Sequence, residues 1–257
     1  MQDARFVRVL LRRPDLRTPF PRRFAARLRG QTVVRVARRG KYLLVELSSG
    51  DTLVMHLGMS GAFSVDAGPS SERAEADRHD HVVFEMSPHA IVTFNDPRRF
   101  GFMDLVTRRA MAGHAALSTL GPEPLSPDFD AAALALACQG KKTSLKVALL
   151  DQRVVAGIGN IYASEALHRA GLSPRRKAST IATRGGAPLN SAVRLTAAIK
   201  AVLIDAIDRG GWYAADGGRF RVYEREGQHC LTKGCRGTIK RITQMGRSTF
   251  FCPVCQK

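Results

Sequence analysis

The chain has 257 residues, 44% hydrophobic and 24% charged, enough apolar material for real cores and unlike a disordered composition. Its 40 Lys and Arg against 22 Asp and Glu give a formal charge of +18. Such an excess points to a polyanionic partner, nucleic acid being the common one, with a generally basic surface as the plainer alternative. No run approaches the roughly eighteen apolar residues of a membrane helix, and Met1-Gln2-Asp3-Ala4-Arg5 lacks the apolar core of a secretory signal. A soluble, intracellular protein with no membrane association is expected.

Six short runs with strand character follow one another in the first part of the chain: Thr32–Ala37, Tyr42–Leu47, Thr52–Leu57, His81–Met86, Ala90–Asn95 and Phe102–Val106. Ser48-Ser49-Gly50-Asp51 and Ser87-Pro88-His89 read as hairpin turns between them. This spacing predicts an antiparallel sandwich or barrel. The polar segment Ala67–Asp77 reads as a mobile surface loop. After Gly121-Pro122-Glu123-Pro124 the pattern changes: Asp128–Cys138, Ser144–Leu150, Ile161–Ala170 and Ser191–Arg209 carry helical spacing with Ala, Leu and Ile on one face. The expected class is α+β and multidomain: an N-terminal antiparallel β-sandwich (1–118), a helical domain (119–222) and a C-terminal ribbon hairpin (223–257).

The ribbon rests on cysteine spacing. Cys230, Cys235, Cys252 and Cys255 stand as C-x4-C-x16-C-x2-C, two close pairs separated by a hairpin-sized stretch. Thr238–Gln244 and Arg247–Phe251 read as its strands, with Met245-Gly246 at the turn. Four thiolates so placed converge tetrahedrally on one structural Zn2+, and two disulfides are the alternative that a reducing compartment disfavours. So short a tail buries too little apolar surface to fold alone, so metal binding supplies much of its folding free energy. Cys138, in an Ala/Leu-rich stretch, reads as a small buried hydrophobe.

Four further clusters are candidates for chemistry. Gly157-Ile158-Gly159-Asn160 precedes a helix, so it is either a simple turn with Asn160 as cap or a place where N–H groups and Asn160 meet a phosphate. Met59, in His56-Leu57-Gly58-Met59-Ser60-Gly61, and Phe100, in Asp96-Pro97-Arg98-Arg99-Phe100-Gly101, fall in turn-rich sequence at strand ends. Taken singly they read as core residues; together with Arg98 they suit a wedge inserted into a base stack. Arg38-Arg39-Gly40-Lys41 is a basic strand edge or a phosphate track. His79-Asp80-His81 has no third ligand nearby and reads as polar hydrogen bonding rather than a metal site.

The stretches 38–47, 55–63, 78–86, 95–102, 120–125, 141–146, 154–167 and 246–255 together resemble, in order and across nearly the whole chain, the formamidopyrimidine-DNA glycosylases and their endonuclease VIII relatives. The resemblance implies a helix–two-turn–helix in the helical domain. It also implies base-excision repair: removal of 8-oxoguanine and formamidopyrimidines, followed by abasic-site cleavage through β,δ-elimination. Residue by residue, Lys41 matches a lysine of β-elimination and Arg247, placed in the ribbon's turn, an arginine of δ-elimination and phosphate binding. Met59, Arg98 and Phe100 match the wedge; His79, Arg98, Lys141 and Asn160 match DNA contacts. Double-stranded DNA carrying oxidised bases or abasic sites is the implied partner, a monomer the implied state, and a bacterial-type cytoplasm, on the nucleoid, the implied location.

Two departures accompany the match. Members of the family begin Met-Pro-Glu, with the mature proline as nucleophile, whereas this chain begins Met1-Gln2-Asp3. The expectation is that the opening helix and its catalytic dipeptide are missing, through a misassigned start or a true truncation; a non-catalytic binder of damaged or kinked DNA is the alternative function. Second, only Trp212–Gly218 separates Gly210-Gly211 from Arg219-Phe220. The family carries a longer loop here, over the extruded base, so the shortening bears on lesion preference. The four-residue gap between Cys230 and Cys235 lengthens one knuckle and still permits tetrahedral ligation.

Overall fold

The computed structural model describes residues 1–67, 77–210 and 220–257, so most of the expected polar loop between Ala67 and Asp77 and the short 212–218 loop lie outside the described residues. The chain forms two compact units, Met1–Ser118 and Thr119–Lys257.

In the first unit, eight strands make two antiparallel four-stranded sheets. These strands are β1 (Phe6–Leu11), β2 (Val33–Arg39), β3 (Tyr42–Leu47), β4 (Thr52–His56), β5 (Ala62–Ala67), β6 (Asp80–Met86), β7 (Ala90–Asn95) and β8 (Phe102–Val106). Their orders are β1-β6-β7-β5 and β2-β3-β4-β8. The inner strands β4 and β6 are buried almost continuously, whereas β2 and β5 lie at sheet edges and expose most of their residues. Continuous burial makes the inner strands evident from sequence, whereas β1 and the exposed edge strand β5 are not among the six runs read there. Along β5 only Phe63 turns inward among the long side chains, its ring 5.0 Å from Phe94, while Val65 faces solvent. A short helix α1 (Phe24–Leu28), also absent from the sequence reading, places Phe24 and Leu28 in the sandwich core with Phe6, Val45, Leu53, Phe84 and Phe94. Five residues are too few to show helical periodicity; burial of these two side chains, each contributing about 1.5–3 kcal/mol, holds the helix instead.

The second unit packs four helices and a hairpin: α2 (Ala131–Cys138), α3 (Leu145–Leu150), α4 (Asn160–Arg169), α5 (Asn190–Asp208), β9 (Lys240–Gln244) and β10 (Arg247–Phe251). Local chemistry sets the starts. The Asp130 carboxylate accepts from the Ala133 N–H (2.7 Å) and the Ser144 hydroxyl from the Val147 N–H (3.4 Å), satisfying donors that a helix end leaves unpaired. The apolar faces of α2–α5 meet in one core that includes Leu134, Leu145, Ile158, Leu167 and Ile199. Cys138 is fully buried there, and burial raises its thiol to about 11, as suits a packing residue. At the hairpin tip Met245 (φ 50°) and Gly246 (φ 68°) are both left-handed, the two-residue turn that matches strand twist. Arg247 is therefore not in the turn but opens β10.

Candidate nucleic-acid interface

One end of the sandwich is organised by a row of rings. Tyr42, His56 and Phe102 are partners across β3, β4 and β8, with centroids 5.0 Å (Tyr42–His56) and 6.3 Å (His56–Phe102) apart. Register then brings their chain neighbours to the same end: Lys41 before Tyr42, Leu57 after His56, Gly101 before Phe102. Lys41 is exposed beside the Gly40 turn, where the Arg38 guanidinium donates to the Gly40 carbonyl (2.7 Å). Burial, then the charges of Lys41 and Arg17, lower the His56 pKa. A neutral ring fits its role, since Nδ1 accepts from the Gly58 N–H (2.9 Å).

The 57–61 and 96–101 loops are locked together by Asp96, whose side chain is fully buried. One carboxylate oxygen accepts from the Ser60 hydroxyl (2.6 Å) and the other from the Gly101 N–H (2.8 Å). Its backbone carbonyl accepts from His81 Nε2 (2.9 Å), and Ser60 Oγ in turn accepts from the Arg98 N–H (3.2 Å). Gly58, at φ +69°, packs backbone to backbone: an added Cβ would meet the Phe100 carbonyl carbon and lie 2.5 Å from the Gly101 nitrogen. This scaffold leaves Met59 70% exposed and Phe100 41% exposed, with the Arg98 guanidinium 4.9 Å above the Phe100 ring. His79 joins the same cluster through its carbonyl, which accepts from the Asp96 N–H (3.0 Å), while its Nε2 accepts from Arg78 (3.0 Å). Lys41, Met59, His79, Arg98 and Phe100 thus share one end of this unit. Sequence reasoning missed Asp96 and Ser60, which tie the two loops to each other and to His79.

In the second unit the N-cap of α4 is Gly159, and Asn160 is the first helical residue. Its side chain turns to the hairpin: Nδ2 donates to the Ser248 carbonyl (2.9 Å) and Oδ1 accepts from Lys146 Nζ (2.6 Å). Lys146, fully buried, also donates to the Ser248 carbonyl (3.1 Å) and Thr249 Oγ1 (2.6 Å). Burial, with the nearby Arg247 charge adding to it, lowers this lysine to about 8. Asn160 is therefore tied to Ser248, the residue after exposed Arg247, and Lys146 joins them although the sequence reading gave it no role. The only sequence signal was a lysine inside the apolar run Leu145–Leu150. The preceding turn is held by Gln152, which accepts from the Gly157 N–H (2.9 Å) and donates to the Leu150 and Ile158 carbonyls (3.1 Å each). Lys141 sits at the α2–α3 link, where its charge helps lower Asp151. Buried Glu165 accepts from the N–H groups of Arg221, Val222 and Tyr223 (2.8–2.9 Å), fastening the segment after α5 to α4.

The four ribbon cysteines converge, their sulfurs all within 4.8 Å of one another. The Cys230–Cys255 and Cys235–Cys252 pairs are 3.7 Å apart. A disulfide needs about 2.05 Å, whereas a tetrahedron of about 2.3 Å metal–sulfur bonds has edges of about 3.8 Å. The donor set fits zinc.

Residues 1–103 match the model of the formamidopyrimidine-DNA glycosylase N-terminal domain, 120–215 that of the formamidopyrimidine-DNA glycosylase H2TH domain, and 227–257 that of a zinc finger found in FPG and IleRS. The chain is 57% identical over 275 aligned positions to a formamidopyrimidine-DNA glycosylase of Rhodopseudomonas palustris (strain HaA2), covering 100% of this chain and 94% of the relative. A Bradyrhizobium diazoefficiens relative of the same name is 54% identical with the same coverage. Both alignments are longer than the chain, so the relatives carry residues with no counterpart here. Among solved structures, the Lactococcus lactis formamidopyrimidine-DNA glycosylase bound to abasic-site DNA superposes with a TM-score of 0.87 at 28% identity, over 100% of this chain and 94% of that one. A complex of the same enzyme with FAPY-dG DNA gives 0.85, over 99% and 93%. In this chain the four thiolates hold one structural zinc ion.

Proposed function

The chain belongs to the formamidopyrimidine-DNA glycosylase family, and from that premise we propose that it removes oxidised purines, 8-oxoguanine and formamidopyrimidine, from double-stranded DNA and cleaves the resulting abasic site by β,δ-elimination. The observation that carries this reading is the shared placement of Met59, Arg98 and Phe100 on two interlocked loops beside Lys41. Extruding a base costs a few kcal/mol of stacking, which apolar tips offset by filling the gap, and lesions that already weaken stacking are extruded most readily.

In this reading the Lys41 amine attacks C1′ of the lesion nucleotide, the glycosidic bond breaks and the base leaves with the proton the amine gives up, and the Schiff base formed on ring opening undergoes β-elimination. Arg247 holds phosphate and serves δ-elimination; Asn160 donates to the backbone once DNA replaces its present partner. Arg98 and Lys141 neutralise further phosphates, and His79 contacts the DNA backbone beside them. The zinc ion supplies structure and no chemistry: it fixes the hairpin that presents Arg247. The protein acts in the cytoplasm, on the nucleoid, as a monomer.

The test uses a duplex with one abasic site. Wild-type chain should leave a gap with phosphate at both ends, and Arg247→Ala should accumulate the β-elimination product. Tight binding with no cleavage would overturn the enzymatic reading in favour of a non-catalytic binder of damaged DNA.

A further inference from the structure

Helix α4 carries a buried imidazole that the interface does not use. His168, 4% exposed, sets Nε2 3.4 Å from Cys230 Sγ, 3.9 Å from Cys255 Sγ and 3.3 Å from Thr232 Oγ1. Thr232 lies in the lengthened knuckle between Cys230 and Cys235, its hydroxyl 3.8 Å from Cys255 Sγ. His168 Nδ1 is buried with no hydrogen-bond partner. A proton there would be a stranded donor, costing about 1–3 kcal/mol, whereas a proton on Nε2 faces sulfur and hydroxyl. Nε2 is thus the ring nitrogen placed to donate, toward sulfur and hydroxyl.

Four thiolates outweigh the charge of one zinc ion, and sulfur carrying that excess in a largely buried site is stabilised by N–H and O–H donors. The Gly237 N–H serves Cys235 (3.4 Å). We infer that His168 and Thr232 are the outer-sphere donors for the other pair, His168 to Cys230 and Thr232 to Cys255, and that they fasten the zinc centre to the helix that begins with Asn160. The long knuckle then has a purpose: its extra residues bring Thr232 between the imidazole and Cys255. This inference concerns the metal centre and stands apart from the catalytic reading.

The full-length, metal-loaded protein tests it. His168→Phe keeps a ring of similar size and removes the donor; His168→Gln restores one; Thr232→Val keeps shape and removes the hydroxyl. In competition with a chromophoric chelator, His168→Phe should lose about 10–100-fold in zinc affinity and His168→Gln should recover much of it. With cobalt in place of zinc, the thiolate-to-metal charge-transfer band should move to longer wavelength in His168→Phe. Unchanged affinity and band position in His168→Phe would overturn the inference, as would a fall in melting temperature with no movement of the band. Should His168→Phe fail to fold, Thr232→Val decides: weakened zinc binding supports the inference, and wild-type binding overturns it.

Discussion

Asp96 joins fold to function, and replacing it is expected to damage both. Its two oxygens accept from Ser60 and Gly101 at 2.6 and 2.8 Å in a fully buried position. Hydrogen bonds to a charged group are each worth about 1.5–3 kcal/mol, so Asp96→Ala should cost the Met1–Ser118 unit roughly 3–6 kcal/mol, leaving a buried N–H without an acceptor. With a urea dependence of about 2 kcal/mol per molar, the unfolding midpoint should fall by roughly 2 M. Asp96→Asn, which still offers one acceptor and matches the shape, should lose less than half as much. The functional readout is preference for an abasic over an intact duplex, by fluorescence anisotropy. Because Phe100 and Arg98 sit on the loop that Asp96 holds, preference should fall in Asp96→Asn even where the protein stays folded. An Asp96→Ala protein with a wild-type midpoint and wild-type preference would refute the claim that this carboxylate sets the loops.

Three other outcomes follow from the same reasoning. Lys146 is held at about 8 against an ordinary 10.5, so between those values the unfolded chain binds the proton more readily than the fold. Stability tied to this group is therefore lowest below pH 8 and rises as pH climbs toward 10.5. The urea-midpoint difference between wild type and Lys146→Met should shift in favour of wild type over that window, and a flat difference would contradict the burial argument. Chelating zinc should loosen the last 28 residues and weaken DNA binding while the β unit unfolds at its usual midpoint; undiminished binding would remove the hairpin from the interface. Affinity for duplex should fall with salt at a log–log slope near −4 to −5 for about five neutralised phosphates, and a salt-independent affinity would remove electrostatics from the account.

Much of this was legible in the sequence because local chemistry decides it. Strands β3, β7 and β8 are apolar runs ended by turn residues, and α2 and α3 show themselves through helical spacing of Ala and Leu. The zinc centre is a matter of spacing. What escaped depends on distant partners. β5 is an edge strand with one inward aromatic, and α1 is held by burial alone. Asp96 answers Ser60, 36 residues earlier, and Lys146 answers Ser248 and Thr249, more than 100 residues later. A lone Asp in a turn or a Lys near a helix start reads as solvated until the chain is folded. His168 is another such case: only the fold brings it to the cysteines.

The central claim is that this chain extrudes and excises oxidised purines, and one measurement meets it directly. A duplex with a single 8-oxoguanine and its undamaged counterpart are incubated with wild-type and Phe100→Ala protein, and released base is quantified. The account predicts release from the lesion duplex alone, with Phe100→Ala slowed on it. No release by wild type, with both duplexes bound equally, would contradict it.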